Sequence, residues 1–276
     1  MPRIAASMVF TVSSAPRRNG VVVTDADGTV LSVSKGRPSF DEMAGVQYYS
    51  GILVPGFVDV MCGGATDPAR LLTRGIRVAG TTVVPPGVAG PAQESAGQPE
   101  GGTGQPGDAA RQPGDAARQP GDAARQTGDA AMQPGDAARQ SGDAAGQPGG
   151  VRRFFWKGRY GGDVGFVVYR QMEQFERRFR KGPAEGVLLW GETDKPVLAG
   201  YGEQEMLQLM IRLQDSHGYK LPDLLSMATI NGAHATGFGA VAGSIEPGRN
   251  PGLNIIEGVD PQQMKLLPGS RLRRLC

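Results

Sequence analysis

The chain has 276 residues, a formal net charge of +2 and two cysteines, so it could hold one barrel-sized domain or two ordinary ones, and its overall charge demands no anionic partner. Glycine at 43 and proline at 21 residues together make close to a quarter of it, near the range of low-complexity sequence. Cys62 and Cys276 are too few and too badly placed for a disulfide framework, which fits a reducing, cytoplasmic compartment, and no run approaches the roughly 18 apolar residues of a membrane span.

Residues 4–12 read as a strand. Ser7 and Thr11 interrupt the apolar run after Met1-Pro2-Arg3, which argues for a strand rather than a secretory leader. Residues 20–24 and 29–33 read as a hairpin whose Asp27-Gly28 supplies the positive φ of a tight turn. A further strand at 46–49 completes a small antiparallel sheet that needs a partner layer.

The stretch Gly51-Ile52-Leu53-Val54-Pro55-Gly56-Phe57-Val58-Asp59-Val60-Met61-Cys62-Gly63-Gly64 reads as a buried strand ending in a loop. Residues 67–76 follow as a short helix, with Asp67 at the N-cap and Pro68 at N1. Gly80-Thr81-Thr82-Val83-Val84 reads as a second buried strand, so the segment makes one βαβ unit, far short of a closed barrel.

From residue 85 to 150 the character changes. Gln105-Pro106-Gly107-Asp108-Ala109-Ala110-Arg111 recurs with small variations in consecutive heptads, and Met132 is the one large apolar residue among them. Such repeats have no core to stack on, and Pro-Gly in nearly every heptad excludes a coiled coil. Residues 89–150 therefore read as a disordered low-complexity linker.

Residues 151–181 are strongly basic, with Phe154, Phe155, Trp156, Tyr160 and Tyr169 interleaved. Residues 164–169 read as a strand, 171–180 as a helix and 187–190 as a strand. An amphipathic helix is expected over 203–214, because Met206, Leu209, Met210 and Leu213 share one face. A further helix is expected from 221, continuing through 233–238, and a closing strand over 253–260.

Three separated segments resemble the amidohydrolase superfamily. They are Gly51-Ile52-Leu53-Val54-Pro55-Gly56-Phe57-Val58-Asp59, then Ala228-Thr229-Ile230-Asn231-Gly232-Ala233, then Gly243-Ser244-Ile245-Glu246-Pro247-Gly248-Arg249 with Leu253-Asn254-Ile255-Ile256 after it. The similarity is closest to the cytosine-deaminase-like and aminodeoxyfutalosine-deaminase-like branch. It implies an α/β protein in which residues 1–54 and 239–276 form a small β-sandwich and residues 55–88 and 151–238 an incomplete (β/α) barrel of TIM type. The family's middle strands have no counterpart, since the repeat stands in their place.

The resemblance also implies hydrolysis of C–N bonds in a small-molecule substrate by water held on a divalent metal such as zinc or iron. The family's His-x-His on the first barrel strand falls on Met61-Cys62-Gly63. Thioether sulfur is a poor ligand for such a metal, and Gly63 offers no side chain. Cys62 takes the middle position, pointing away from the site, as an ordinary buried thiol. His217 and His234, the only histidines, fall on helices away from any ligand position. Asp194, in Glu192-Thr193-Asp194 after the strand at 187–190, matches the family's Gly-Thr-Asp at the last strand. One carboxylate does not hold a catalytic metal. The expectation is a pseudoenzyme with no cofactor and no intact metal set. The alternative is nucleic-acid or partner binding through the basic, aromatic stretch at 152–181.

Overall fold

The computed structural model describes residues 1–34, 45–63, 67–82, 151–157, 163–169, 171–201, 205–260 and 262–275. All of them belong to one unit, Met1–Val88 with Ala137–Cys276. The linker expected over 89–150, heptad repeat included, lies outside the described residues. The fold is mixed α/β.

The chain enters through β1 (Arg3–Val9), β2 (Arg17–Arg18), β3 (Val21–Thr24), β4 (Val30–Ser34) and β5 (Val46–Pro55). The β3–β4 hairpin turns on Asp25, whose Oδ1 accepts from the amides of Asp27 and Thr29 at 2.9 and 2.8 Å, and on Gly28, whose φ is 85°. The turn residues thus supply their own hydrogen bonds. The expected strand at 46–49 and the apolar run after it are a single long strand, β5, which pairs parallel to β1.

Next come β6 (Phe57–Asp59), α1 (Pro68–Thr73), β7 (Ile76–Thr81), β8 (Arg152–Lys157) and β9 (Asp163–Val168). Asp67 caps α1 by accepting from the Ala69 amide at 3.0 Å. Strands β6, β7 and β9 are parallel neighbours, and β8 lies antiparallel on β9. Two expectations change here. The second strand starts at Ile76, not Gly80, because Arg77 is buried: its Nε donates to the Asn250 carbonyl at 3.0 Å and its Nη1 to that of Asp163. The basic stretch also begins with a strand, which covers the edge β9 would otherwise expose.

Then follow α2 (Met172–Arg178), β10 (Phe179–Lys181), β11 (Val187–Trp190) and β12 (Pro196–Leu198), the three strands forming an antiparallel sheet. Backbone bonds tie β12 to the end of β6: the Val60 amide donates to the Leu198 carbonyl at 3.2 Å, and the Tyr201 amide to that of Met61 at 2.9 Å. The core between the two sheets holds Val58, Val60, Met61, Val167, Tyr169, Phe175, Phe179, Leu188 and Val197.

Helix α3 (Met206–His217) ends on Gly218 at φ 70°, and α4 (Leu221–Ser226) runs through a π turn (Met227–Asn231) into α5 (Gly232–Thr236). The apolar stripe of α3 is wider than its spacing suggests, taking in Leu207 and Ile211. Each such buried Leu or Met stabilises by roughly 1.5–3 kcal/mol. Gln214 is buried as well: its amide donates to the Leu266 carbonyl at 2.9 Å and accepts from the Leu266 amide at 3.0 Å.

Finally β13 (Leu253–Asp260) pairs antiparallel with β5 and with β14 (Lys265–Arg274), a strand not expected from the sequence. A sandwich of N- and C-terminal strands is expected from the resemblance; the hydrogen bonds join them into one seven-stranded sheet, because β5 takes β1 on one side and β13 on the other. The row Met8, Ile52, Ile256 faces α3, and the row Val9, Leu53, Ile255 faces a second core with Ile4, Val22 and Ile245. Among the described residues no helix is long and apolar enough to cross a membrane.

Candidate functional site

The carboxyl ends of β6, β7 and β9 converge on a buried polar group that sequence reasoning passes over, the carboxylate of Asp59. Its Oδ1 accepts from the Gly200 amide at 2.8 Å and from the Met61 amide at 3.0 Å. Burial pushes its pKa up to about 6, against the lowering effect of those two hydrogen bonds and of Arg74. Desolvation outweighs the favourable contacts. The clue was available: a charged residue ending an apolar strand is rarely buried without a reason.

Around Asp59 stand Cys62, Tyr169 and Tyr201. The Cys62 thiol donates to the Gly80 carbonyl at 3.2 Å, and burial, then the Asp59 charge, raises its pKa far above the ordinary thiol range. That is an inert thiol, not a thiolate ligand. Burial raises Tyr169 likewise, and its buried hydroxyl has no hydrogen-bond partner among the described residues. Tyr201 is raised by burial and by Asp59. Gly80 makes this packing possible, since a Cβ there would lie 1.9 Å from the Val60 carbonyl oxygen.

Met61 is buried in the core with Tyr169, Phe175 and Phe179. In that cluster the Tyr169 ring meets Phe175 edge-on at 5.3 Å and Phe179 at 6.5 Å. Gly63, at φ 70°, contributes only its carbonyl, which accepts from Thr81 at 3.3 Å.

Asp194 lies elsewhere. The family motif puts it at the end of the last strand of a parallel series, but β11 runs antiparallel to β12 and Asp194 sits in the turn between them, at φ 55°. Its side chain is 67% exposed and paired with Arg180, itself 60% exposed. The segment leaving β6 is hydrogen-bonded to β12, and the residues leaving β12, Ala199-Gly200-Tyr201, carry no carboxylate. His217 is exposed in the last turn of α3, and His234 is exposed on α5.

These donors do not fit a divalent metal centre. A thioether, a glycine, a protonated thiol bonded to a carbonyl, and a carboxylate oxygen taken by two amides offer no convergent set. Among the described residues no three His, Cys, Asp or Glu side chains come together as a metal site.

Part of the basic, aromatic stretch is spent on packing. Arg153 Nε donates to the Thr236 carbonyl at 2.7 Å and Arg178 Nη2 to that of Ala235 at 2.8 Å, so both serve the C-terminal end of α5. Phe155 packs edge-on against Phe238 at 4.9 Å, and Tyr169, Phe175 and Phe179 are buried.

The second and third motifs act as braces. Asn231 Nδ2 donates to the Pro196 carbonyl of β12 at 2.9 Å. A Cβ on Gly232 would come within 2.8 Å of Val58 on β6, so glycine sets the helix-to-strand distance. Ile245 enters the core of the seven-stranded sheet. Both segments lie inside residues 171–270, which match the sequence profile of the amidohydrolase family. The match to the amidohydrolase family covers these 100 residues of the chain. Its first family-like motif, at residues 51–59, lies outside the matched span. No curated protein sequence matches the chain.

Among solved structures, the chain is similar to an N-acetyl-D-glucosamine-6-phosphate deacetylase from Mycobacterium smegmatis, at 27% identity over 29% of this chain and 24% of that one, TM-score 0.23. It is similar to an A. niger ochratoxinase, at 17% identity over 29% and 25%, TM-score 0.22. It is also similar to a Helicobacter pylori aminofutalosine deaminase, at 14% identity over 29% and 27%, TM-score 0.23. The chain spans about a quarter of the length of these structures.

Proposed function

We propose that this chain is a pseudoenzyme of the amidohydrolase family, one that keeps the family's supporting strands and has lost its hydrolytic centre. In this reading β6, β7, β9 and β12 are what is left of a (β/α) barrel over residues 55–88 and 151–238, the seven-stranded sheet from residues 1–54 and 239–276 is the counterpart of the family's β-sandwich, and residues 89–150 are a linker. The observation that carries the reading is the use made of the first-strand loop. Met61 is buried in the same core as Tyr169, Phe175 and Phe179, and the nearby Asp59 spends Oδ1 on the amides of Met61 and Gly200.

A family enzyme needs a metal-bound water of lowered pKa in this place. Here the side chains that should hold the metal are a buried methionine and a glycine, and Asp194 is on an exposed turn. Asp59 then has a structural role, fixing the loop after β6 to the segment after β12. The experiment is elemental analysis of purified full-length protein for zinc, iron and manganese, together with assay of C–N hydrolysis in metal-supplemented buffer. The reading expects neither a stoichiometric metal nor metal-dependent turnover; either one would refute it.

A further inference from the structure

A cleft of about 550 Å³ between the loop after β1 and the loop before β13 is lined by Thr11, Ser13, Ser14, Arg17, Glu246 and Arg249. Three hydroxyls and two guanidinium groups share it with one carboxylate. That carboxylate is already committed: Glu246 Oε2 accepts from Ser244 at 2.7 Å and pairs with Arg249 Nε at 3.0 Å. The Ser244 hydroxyl above all, then the Ser13 hydroxyl and Arg249, hold Glu246 below its usual pKa in spite of burial. Its charge is spent on Arg249.

Arg17 has no such counterpart among the described residues. Its Nη1 donates to the Val33 carbonyl at 2.6 Å, while its Nε is buried with no acceptor among them. That N–H leaves Arg17 with donor capacity that no described residue takes up. The wall opposite is rigid. Thr11 Oγ1 accepts from the Ser14 amide at 3.2 Å and hydrogen-bonds Ser14 Oγ at 2.8 Å, holding Val12 at φ 67° between them. A β-branched residue in the left-handed region is held there only where the surroundings over-determine it.

We infer that this cleft binds a phosphate group, free or carried by a small organic molecule, with Arg17 as the principal charged contact and the Ser14 hydroxyl as a donor. Arg17 supplies the fork geometry that phosphate oxygens accept from, and the cleft's net charge, two arginines against one glutamate, is positive. The site is independent of the lost hydrolytic centre, since none of its residues touches Asp59.

The test is calorimetric titration of the full chain with inorganic phosphate and with phenyl phosphate, in chloride buffer at constant ionic strength. Saturable binding is expected, weakened about tenfold or more in Arg17→Met and partly kept in Arg17→Lys. Tighter binding of phenyl phosphate would identify an ester as the source, and equal binding free phosphate. Amide chemical shifts of the unmodified protein give a second readout that needs no variant: phosphate should perturb residues 11–14 and 244–249. No saturable binding, undiminished binding by Arg17→Met, or shifts confined to other residues would overturn the inference.

Discussion

The amide of Gly200 donates to Oδ1 of Asp59 at 2.8 Å across 141 positions of sequence. This bond fastens the segment leaving β12 to the strand leaving β6.

Asp59 should make stability fall with rising pH. Its pKa is about 6 in the folded chain against an ordinary value of 3.8, so between those values the native state holds a proton that the unfolded state has released. Stability is then greatest below pH 3.8 and declines through pH 6, by about 3 kcal/mol in all for a shift of this size. Denaturant melts at about pH 4 and pH 7 should show this loss, and Asp59→Asn, which keeps an oxygen for both amides, should flatten it. An equally steep dependence in the variant would assign the titration to other groups.

Tyr169→Phe should be neutral or stabilising by up to about 1 kcal/mol, because it removes a buried hydroxyl that has no partner among the described residues. A loss above about 1 kcal/mol in urea melts would mean that the hydroxyl is hydrogen-bonded in solution.

Asp194→Asn should change stability by less than about 0.5 kcal/mol, as expected for an exposed ion pair with Arg180. Asn tolerates the left-handed backbone at this position, so the variant isolates the charge. A large loss would restore a structural or ligating role to Asp194.

Gly80→Ala should destabilise by about 3 kcal/mol or more, since its Cβ would meet the Val60 carbonyl oxygen at 1.9 Å. Thermal melting of this variant against wild type reads the effect directly.

Local signals were legible where one chain segment decides the outcome. Asp67 and Pro68 mark the start of α1, Gly28 marks the hairpin, and the apolar spacing of Met206, Leu209, Met210 and Leu213 marks α3. What depends on distant partners was not. Arg77 looks like a reason not to begin a strand, yet the carbonyls of Asn250 and Asp163 accept from it. Arg152–Lys157 opens the basic, aromatic stretch in which no strand was expected before residue 164, but it pairs with β9 and directs Arg153 to the end of α5. Asp194 lies in the turn between β11 and β12, a position that only the antiparallel pairing of those two strands reveals. Asp59 was visible in the motif but had no local sign of its two amide donors, one of them at Gly200.

The central claim is that the loop after β6 no longer supports a metal-dependent centre. It is tested most directly by the metal content of purified full-length protein, measured by inductively coupled plasma mass spectrometry after incubation with zinc, iron(II) or manganese and removal of the excess. The account predicts well below one equivalent of any of the three, unchanged in Asp59→Asn and Asp194→Asn. About one tightly held metal per chain, lost in either variant, would contradict it.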